Sequence, residues 1–443
     1  MPVTHLLLLS GGSGKRLWPL SNNTFSKQFI RLFKGKDGAL ESMMMRAYRC
    51  AKAAGMADVI VATGIDQVSV IHGQLGNDVS VCAEPCRRDT FPAIALSAAL
   101  MKRNGAADED AVITAPVDAY VDETFYMALR SLAEMLPGAD AKLLLLGIRP
   151  DGPSEKYGYI MPEGTEPVSR VAFFREKPDT ETAARYIRDG ALWNSGVFAF
   201  RLGYMLEKAR QLLGTDDYDS LLSMYDRLPS VSFDYAVAEK ETSCRVVRFS
   251  GEWKDIGTWN SLSEVISSQP IGPAELDGDC ENVTVVNQLN IPFLGMGLKN
   301  LVICAAPDGI LAAEKEASVR LKGYAERMGT EVYFAERAWG SYQVLSTDGS
   351  SLTRRIVMRK GSQMKYHSHD LRDESWVITA GRGAILMAGE TTLAGVGDAI
   401  HIPRGVKHRM TAIEDLTMIE VQTGLCLGSE DRKLFDDDGN RLI

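Results

Sequence analysis

Glycines and basic side chains are concentrated at the start of the chain, although the protein as a whole has a net charge of −9. Residues 1–36 contain six Lys or Arg and no Asp or Glu. The apolar run Leu6–Leu9 leads into a turn that consists of Gly11, Gly12, Ser13, Gly14, Lys15 and Arg16. Glycine lets backbone N–H groups approach a ligand closely, and Arg or Lys neutralises phosphate. The stretch predicts an anion site, which we interpret as a nucleoside triphosphate site.

Two common phosphate-binding motifs are excluded by the spacing. A Walker A loop needs Gly-x4-Gly-Lys-Ser/Thr, but Leu9 stands five positions before Gly14 and Arg16 follows Lys15. The Gly-x-Gly-x-x-Gly spacing of a dinucleotide-binding turn is also missing. The turn alone leaves a phosphate site and a plain Gly-rich turn equally open.

Four of the six histidines lie in the last quarter of the chain. Gly361-x5-His367-x-His369-x4-Glu374-x6-Gly381 matches the first cupin motif, and Gly397-x5-Pro403-x-Gly405-x2-His408 matches the second. Residues two apart in a strand face the same way, so His367 and His369 can both point into a barrel. Glu374 and His408 complete a set that suits Zn²⁺ or another divalent transition metal, and the sequence does not choose among them.

Composition limits the class of protein. A chain of 443 residues with 45% apolar residues predicts a soluble protein of two or three domains. The acidic balance argues against nucleic acid or an anionic membrane as the main partner. The seven scattered cysteines predict reduced thiols. No apolar run has the length of a membrane span or a signal peptide, so a cytoplasmic location is expected.

Short apolar runs alternate with helical patterns up to about residue 150. The strand candidates are Leu6–Leu9, Val59–Thr63, Val79–Ala83, Ala111–Ala115 and Leu143–Ile148. This alternation predicts an α/β fold with a mostly parallel sheet between helices. The ligand then lies beyond the carboxyl ends of the strands, where Gly11–Arg16 and Asp118 fall.

The pattern of predicted secondary structure changes at two further points along the chain. Residues 1–265 are predicted to form the α/β domain, with helices at Leu40–Ala54, Ala93–Arg103 and Thr180–Arg188. Residues 266–335 hold short β-like pieces and a helix near Ala317–Arg327, which predicts a small β connector that could be β-helix-like. Residues 336–443 show short strands with frequent turns, which is typical of an all-β sandwich or barrel.

The opening string GGSGKRLWPLS, followed by SKQF, resembles the signature of sugar-1-phosphate nucleotidyltransferases, especially mannose-1-phosphate guanylyltransferases. Further matching segments follow in the family's order: EPCRRDTFPAIA from Glu84, APVD ending at Asp118, PSEKYGYI from Pro153, REKP from Arg175, WNSGVF from Trp193, DYAV from Asp234 and WKDIGTW from Trp253. The resemblance implies a Rossmann-like GT-A nucleotidyltransferase domain. It also implies attack of a sugar-1-phosphate oxygen on the α-phosphorus of an NTP, with release of pyrophosphate.

The resemblance assigns roles to individual residues. Arg16 and Lys27 are expected at the α or leaving phosphates, and Asp118 and Asp255 are expected to bind Mg²⁺. Besides the glycine turn, the nucleotide is expected to meet Glu84, Pro85, Arg88 and Asp89. The sugar phosphate is expected to meet Tyr157, Gly158, Glu176, Lys177, Asn194 and Asp234.

This sequence departs from the family pattern at several places. Lys15 replaces a small Thr or Ser, Ser26 replaces the Pro before Lys27, and Ala119 replaces His after Asp118. Asp89 and Phe91 stand where the family has Asn and Ala, and they are expected to reshape the base pocket. Phosphate and metal chemistry is expected to survive these changes, whereas the choice of base and sugar is less fixed.

The C-terminal quarter resembles the cupin domain of the long guanylyltransferases, a type II phosphomannose isomerase. The tail from Ile419 and the pair His408-Arg409 match that domain, and Arg409 is expected at the isomerase substrate. The segment KYHSHDLRDES departs from the compact histidine cluster of the family, so a structural or oligomerising cupin stays open beside an isomerase.

Three functions follow from these patterns. The first is GDP-mannose synthesis from GTP and mannose-1-phosphate, as in polysaccharide biosynthesis, by an enzyme expected to be a homo-oligomer. The second is the same chemistry with another base or sugar phosphate. The third, a non-catalytic nucleotide-sugar sensor, is disfavoured because Arg16, Lys27, Asp118 and Asp255 are all retained.

Overall fold

The computed structural model describes residues 3–11, 15–22, 24–266, 268–328, 332–436 and 438–442. The contacts divide the chain into two compact units. Of the described residues, the first unit takes those up to Gly11, Ser26–Val68 and Leu75–Ile266. The second takes Lys15–Phe25, Ser69–Gln74 and the residues from Ser268 onward.

The first unit is an α/β domain. Its strands are β1 Thr4–Leu9, β2 Phe33–Lys34, β3 Leu40–Glu41, β4 Asp58–Gly64, β5 Ser80–Glu84, β6 Ala111–Pro116, β7 Ala119–Val121, β8 Leu143–Ile148, β9 Tyr159–Pro162, β10 Val168–Arg175, β11 Leu192–Arg201, β12 Cys244–Phe249 and β13 Trp253–Asp255. The α-helices that belong to it, wholly or in part, are α1 Met43–Ala53, α2 Val68–Leu75, α3 Thr90–Arg103, α4 Glu123–Met135, α5 Thr180–Arg188, α6 Leu202–Leu213, α7 Tyr218–Ser223 and α8 Trp259–Ser263. The inner residues of α2, Ser69–Gln74, cluster with the second unit.

Nine of these strands form one sheet in the order β5-β4-β1-β6-β11-β8-β12-β10-β9. The first four are parallel to one another, as the alternating pattern predicts. From β11 onward the pairings are antiparallel except that of β12 with β8. The antiparallel half begins at an aromatic run whose partner strands are distant in sequence, so local periodicity does not specify it.

Local chemistry explains where several helices begin. Asp179 caps α5 by accepting a hydrogen bond from the Thr182 N–H, and the helix has the predicted bounds. Helix α1 was expected from Leu40 but begins at Met43, where the Ser42 side chain accepts from the Met45 N–H. Leu40 and Glu41, the two residues before Ser42, form β3 instead, because they pair with β2. A competing strand pairing therefore shortens the helix.

The second unit contains the connector and the all-β domain. Its elements are β14 Ala274–Leu276, β15 Thr284–Asn287, β16 Phe293–Gly295, β17 Leu301–Ala306, β18 Gly309–Glu314, α9 Leu321–Ala325, β19 Phe334–Arg337, β20 Gly340–Thr347, β21 Ser351–Met358, β22 His367–His369, β23 Arg372–Ala380, β24 Arg382–Met387, β25 Glu390–Gly395, β26 Ala399–Ile402, β27 His408–Ala412, β28 Leu416–Gly424 and β29 Arg432–Leu434. In the connector β14 pairs in parallel with β16, and β15 with β17, as in successive coils of a β-helix. The helix expected near Ala317–Arg327 is a 3-10 turn followed by the short α9.

The C-terminal domain consists of two antiparallel sheets. One has the order β19-β20-β21-β28-β23-β26 and the other β25-β24-β27-β22-β29. Buried side chains such as Trp376, Met410 and Met418 belong to a single hydrophobic cluster. This all-β architecture confirms the fold predicted for the domain. The seven cysteines are free, and no helix in the described ranges is long and apolar enough to cross a membrane.

Candidate functional site

A cavity of about 420 Å³ opens at the carboxyl ends of β1, β4 and β6 in the first unit, a size typical of small-molecule sites. Residues from the nucleotide, Mg²⁺ and sugar predictions line it: Gly11, Glu84, Arg88, Asp89, Asp118 and Asp234. The order of the strands reverses between β1 and β6, and Leu9 of β1 and Pro116 of β6 both contribute to the wall. The cavity therefore lies where ligands of open α/β sheets bind.

Lys27 and the two predicted Mg²⁺ ligands come together beside this cavity. The Lys27 Nζ donates to the Ile256 carbonyl at 2.9 Å and lies 3.2 Å from the Asp118 Oδ2. Asp255 ends β13, which pairs with β7 so that Asp255 stands opposite Ala119. The two carboxylates are thus on neighbouring chain segments, and both are only partly buried. Hard oxygen donors in this arrangement fit Mg²⁺, which usually keeps water and phosphate ligands as well.

A polar network holds the turn that carries Lys27. The Ser26 Oγ accepts from the Gln67 Nε2 at 2.7 Å, and the Gln67 Oε1 accepts from the Thr63 Oγ1 at 2.9 Å. Ser26 has φ −82°, which suits proline as well. The replacement of Pro by Ser therefore preserves the backbone and uses the hydroxyl in a new bond. Gln67 was not predicted as a functional residue.

The expected base side of the cavity is held by side chains from far along the chain. The Tyr225 hydroxyl donates to the Glu84 Oε2 at 2.7 Å, and burial raises the pKa of Glu84. The Arg88 guanidinium donates to the backbone carbonyls of Tyr225 and Asp226. Both predicted residues thus fix the segment around Tyr225, whose role had no signal in the local sequence.

Asp89 lines the cavity in an uncommon backbone conformation. It caps α3 with φ +67° and ψ −174°, a region that is essentially restricted to glycine. Phe91, in contrast, is 1% exposed and belongs to the hydrophobic core rather than to the cavity wall. Of the two substitutions expected to reshape the base pocket, only Asp89 is placed to do so.

The predicted sugar residues form a second cluster around Gly158. A Cβ at Gly158 would clash with the Glu176 Oε2 and would lie 2.9 Å from the Phe174 Cζ and 3.3 Å from the Asn194 Cβ, so a larger residue would displace these side chains. The Asn194 Nδ2 donates to the Asp234 Oδ1 at 2.6 Å. Burial and the nearby charge of Glu176 raise the pKa of Asp234 to about 6. In the described structure the buried Glu176 Oε2 has no hydrogen-bond partner, so it is available to a ligand hydroxyl.

Tyr157 and Lys177 extend this cluster. Burial, with the charge of Asp255, raises the pKa of Tyr157, and its hydroxyl hydrogen-bonds to Asp255. The Lys177 Nζ contacts the Glu176 Oε1 at 2.7 Å. Burial lowers the pKa of Lys177, but the hydrogen bond and charge of Glu176 outweigh it, so the net shift is upward. The Tyr157 hydroxyl thus connects the sugar set to the Mg²⁺ set.

Other predicted residues lie elsewhere. Gly12, Ser13 and Gly14, and the side chain of Lys15, are outside the described part of the chain. Arg16 is exposed and clusters with the second unit, so its role at the phosphates stays a prediction. Pro85 is exposed and is not among the cavity-lining residues.

The second unit brings together the four predicted cupin ligands. His367, His369, Glu374 and His408 are buried, and one ligand atom from each lies within 4.8 Å of the others. Each imidazole Nδ1 faces a backbone carbonyl, namely that of Lys365, Asp431 or Val406. A carbonyl only accepts, so each Nδ1 donates and each Nε2 carries the lone pair that a metal would use; that of His369 accepts from Arg372 in this structure.

The electrostatics of this cluster fit a cation. The Glu374 carboxylate lies 3.1 Å from the His369 Nε2 and 3.3 Å from the His408 Nε2. Burial alone raises the pKa of Glu374, but the contacts with His369 and His408 outweigh it and lower the pKa. Burial also lowers the pKa of His367, which favours the neutral ligand form. Convergent lone pairs and a carboxylate fit a divalent metal.

The barrel cavity holds further polar side chains that were not predicted. Arg372 donates to Glu374 and contacts the His369 Nε2 at 3.2 Å. The Gln422 Nε2 bridges Glu374 and Glu420. Burial and the charge of Glu374 raise the pKa of Glu420 to about 7. The sequence did contain a signal for these residues, because side chains two positions apart in a strand point to the same face. Arg372 therefore shares a strand face with Glu374, and Glu420 shares one with Gln422.

Arg409 does not line that cavity. It follows the inward-facing His408 in β27, and its guanidinium lies 5.9 Å from the centroid of the Tyr366 ring. Because side chains alternate along a strand, the neighbour of a buried ligand points away from it. Arg337, Arg354 and Arg432 line the cavity instead, together with Arg372, and these cations would face an anionic ligand there.

Comparisons with known proteins agree with this arrangement. Residues 5–269 match the family model "Nucleotidyl transferase", and residues 324–437 match "Mannose-6-phosphate isomerase C-terminal". The xanthan biosynthesis protein XanB of Xanthomonas campestris pv. campestris (strain B100) is 31% identical, over 98% of both chains. The mannose-1-phosphate guanylyltransferase ManC of Salmonella typhimurium (strain LT2) is 31% identical, and a mannose-1-phosphate guanylyltransferase of Escherichia coli (strain K12) is 30% identical, again over 98% of each chain.

A solved structure supports the fold of the larger part of the chain. The crystal structure of a mannose-1-phosphate geranyltransferase from Thermus thermophilus has a TM-score of 0.61 and 29% identity, over 73% of this chain and 99% of that one. These matches confirm the resemblance found in the sequence. The chain belongs to the nucleotidyl transferase family, and it is a nucleotidyltransferase of the mannose-1-phosphate guanylyltransferase type with a mannose-6-phosphate isomerase C-terminal domain.

Proposed function

We propose that the protein transfers the guanylyl group of GTP to mannose-1-phosphate with Mg²⁺, giving GDP-mannose and pyrophosphate. The observation that carries the proposal is the Lys27–Asp118 pair beside Asp255, at the cavity that Gly11, Glu84 and Asp89 also line. The names of the Salmonella and Escherichia coli relatives supply the choice of GTP and mannose-1-phosphate. The proposal includes a cytoplasmic location and a homo-oligomeric state.

The chemistry requires two anions to approach each other in line. The sugar-phosphate oxygen forms a bond to the α-phosphorus while the bond to the pyrophosphate oxygen breaks, so negative charge accumulates on the leaving group. Lys27 provides a fixed ammonium that the Ile256 carbonyl orients. Asp118 and Asp255 would hold Mg²⁺, which when bound neutralises phosphate charge.

The sugar cluster supports a hydroxyl-rich second substrate. The Glu176 Oε2 accepts from a sugar hydroxyl, and Asn194, held by Asp234, presents its amide beside it. Lys177 is the cation of this cluster and binds the sugar phosphate. These side chains position the attacking group rather than react themselves.

The test is pyrophosphate release with each of GTP, ATP, CTP, UTP and dTTP, in the presence of mannose-1-phosphate and Mg²⁺. Release with GTP alone supports the proposal. Release with another NTP, or only with another sugar-1-phosphate, would replace the substrates while keeping the chemistry. Absence of product with every pair would favour a sensor.

The cupin domain supports a second activity, the interconversion of fructose-6-phosphate and mannose-6-phosphate. The convergence of three imidazole Nε2 atoms and Glu374 in a barrel with buried, unpartnered polar atoms, among them the Gln422 Oε1 and the Arg354 Nε, favours this over a purely structural barrel. A bound metal would polarise the sugar carbonyl, and a carboxylate of the cavity would move the proton between C1 and C2.

This second activity has its own assay. Protein loaded with Zn²⁺, Mn²⁺, Fe²⁺ or Ni²⁺ is incubated with fructose-6-phosphate, and mannose-6-phosphate is measured. His369→Ala should abolish the conversion, whereas His401→Ala, an exposed histidine outside the cluster, should not. No conversion with any metal would favour a structural cupin.

A further inference from the structure

The segment Asp234–Ala238 of the first unit forms a single π-helical turn. The hydrogen bond that closes it runs from the Glu239 N–H to the Asp234 carbonyl at 2.9 Å, between residues five apart. In an α-helix, residues five apart lie about 140° apart around the axis. The i→i+5 bond of a π turn brings them to neighbouring positions instead, and such turns are rare and frequent at functional sites.

Both carboxylates at the ends of this turn hold a residue of the predicted sugar cluster. The Asp234 Oδ1 accepts from the Asn194 Nδ2 at 2.6 Å. The Glu239 Oε1 accepts from the Glu176 N–H at 2.9 Å, across 63 positions of the chain. Glu239 was not predicted as a functional residue. One turn therefore fixes both Asn194 and Glu176, which offer polar groups to a sugar.

The bond from Glu239 acts on a strained stretch of backbone. Lys177 has φ +46°, in the left-handed region that residues with a Cβ seldom adopt. Such a conformation costs free energy and persists only where the surrounding structure fixes it. Two hydrogen bonds fix it here, one from the Glu176 N–H to Glu239 and one from the Lys177 N–H to the Tyr157 carbonyl at 3.2 Å.

This backbone determines where the side chains of Glu176 and Lys177 point. The Glu176 side chain is 7% exposed, and its Oε1 contacts the Lys177 Nζ at 2.7 Å. Its Oε2 is buried and has no hydrogen-bond partner in the described structure. A buried acceptor without a donor costs free energy, which a ligand hydroxyl would recover. Glu176, Lys177 and Glu239 also line a cavity of about 710 Å³, through which a ligand can reach them.

We infer that Glu239 is a positioning residue for the sugar phosphate. It acts through the backbone of Glu176 and Lys177, whose carboxylate and ammonium it aims at a sugar hydroxyl and a phosphate before the substrate binds. This preorganisation lowers the cost of assembling the site. The inference rests on the proposed nucleotidyl transfer for the identity of the ligand, and it adds the π turn to the sugar side of the site.

The test compares Glu239→Ala with the matched control Glu241→Ala in the full-length protein. Glu241 is also an acceptor, but it accepts from the Tyr204 hydroxyl at 2.7 Å and the Ser243 N–H at 3.1 Å, outside the sugar cluster. Glu239→Ala should raise the KM for mannose-1-phosphate about tenfold and lower kcat, with the KM for GTP within about twofold, because only the sugar side loses its support. The control should lose stability and keep both KM values.

A conservative variant tests whether the hydrogen bond is responsible. Glu239→Gln keeps an oxygen acceptor for the Glu176 N–H and removes only the charge, so its KM for mannose-1-phosphate should stay within about threefold of the wild type. Three outcomes would overturn the inference. They are an unchanged KM in Glu239→Ala, an equal rise in Glu241→Ala, or a rise in Glu239→Gln as large as that in Glu239→Ala.

Ligand binding separates this inference from the proposed reaction. GDP-mannose reaches the sugar cluster and GDP does not, so Glu239→Ala should weaken binding of GDP-mannose about tenfold and that of GDP less than about twofold in calorimetry. If no NTP gives product while this difference holds, the reaction is wrong and the positioning role stands. Equal losses of affinity for both ligands, or no loss for either, would overturn the role even in an active enzyme. Wild-type protein that binds GDP-mannose no more tightly than GDP would overturn it as well.

Discussion

Among single residues, Lys27 is the one whose substitution we expect to impair catalysis most directly. Its ammonium is paired with Asp118 and its side chain is 16% exposed. Lys27→Met keeps the alkyl stem and removes the charge, so we expect kcat/KM for NTP to fall by about 10²–10³-fold, the usual loss for one electrostatic contact to a developing charge. Pyrophosphate release measures this loss.

The control for that change is another lysine in an ion pair. Lys36 contacts Glu123 at 2.6 Å, but its side chain is 69% exposed. Exposed pairs contribute little, so Lys36→Met should leave kcat/KM within about twofold and stability within about 1 kcal/mol. A Lys27→Met enzyme as active as Lys36→Met would contradict the role of Lys27.

Asp234 predicts a pH dependence of stability. Its pKa is about 6 in the folded protein, against an ordinary value of 3.8, so the folded state binds more protons between these values and loses stability as the pH rises through 6. Asp234→Asn keeps an acceptor for the Asn194 amide and has no charge to bury. At pH 8 the free energy of unfolding of the variant should exceed that of the wild type by up to about 3 kcal/mol.

The measurement is urea unfolding at pH 8, 6 and 4.5. The advantage of Asp234→Asn should shrink as the pH falls through 6, because the wild-type carboxyl becomes protonated. An advantage that stays constant with pH would show that the carboxyl does not titrate in the folded state as expected. Asp217→Asn serves as a control, since Asp217 is an exposed helix cap whose pKa is lowered by hydrogen bonds from Ser220.

Among the secondary-structure elements, α3 begins at a strained residue. Asp89 has φ +67°, whereas Asp179, which caps α5, has an ordinary φ of −64°. Strain of this kind costs about 1–3 kcal/mol, and glycine adds about 1 kcal/mol of unfolded-state entropy. The free energy of unfolding of Asp89→Gly should therefore equal that of the wild type or exceed it by up to about 2 kcal/mol. Thermal or urea unfolding measures this difference.

The same substitution at Asp179 should lower the stability of the protein rather than raise it. Asp179→Gly relieves no strain, removes a cap and adds entropy, so we expect a loss of about 1 kcal/mol. Asp89→Gly should also change the NTP preference, because Asp89 lines the cavity. Equal losses of stability in both variants would show that the conformation of Asp89 carries no strain.

Sequence patterns predict secondary-structure elements better than they predict contacts between residues that are far apart in the chain. The apolar run Leu143–Ile148 and the capped helix Thr180–Arg188 have the predicted bounds, because local hydrophobicity and a cap determine them. Tyr225 reaches Glu84 across 141 positions, and no local pattern encodes such a contact. The cupin ligands could be predicted because His367, His369 and Glu374 lie on two consecutive strands and His408 has the spacing of the second motif. Arg372, in contrast, required knowledge of which strand face points inward.

The whole molecule presents two chemically distinct sets of candidate metal ligands, one in each unit. Asp118 and Asp255 offer oxygen donors, whereas His367, His369 and His408 offer nitrogen donors with Glu374. Mg²⁺ prefers the first set and first-row transition metals the second. The two proposed activities should therefore differ in their metal requirement.

Metal removal separates the two proposed activities. After treatment of the full-length protein with EDTA and removal of the chelator, Mg²⁺ should restore pyrophosphate release but not isomerisation. Zn²⁺ or another transition metal should be needed for isomerisation, because three imidazoles bind such ions far better than Mg²⁺. Asp255→Ala should abolish the transfer and keep the isomerisation, and His408→Ala should do the reverse. Loss of both activities in either variant, or recovery of both with Mg²⁺ alone, would contradict two independent sites and would require one unit to depend on the metal of the other.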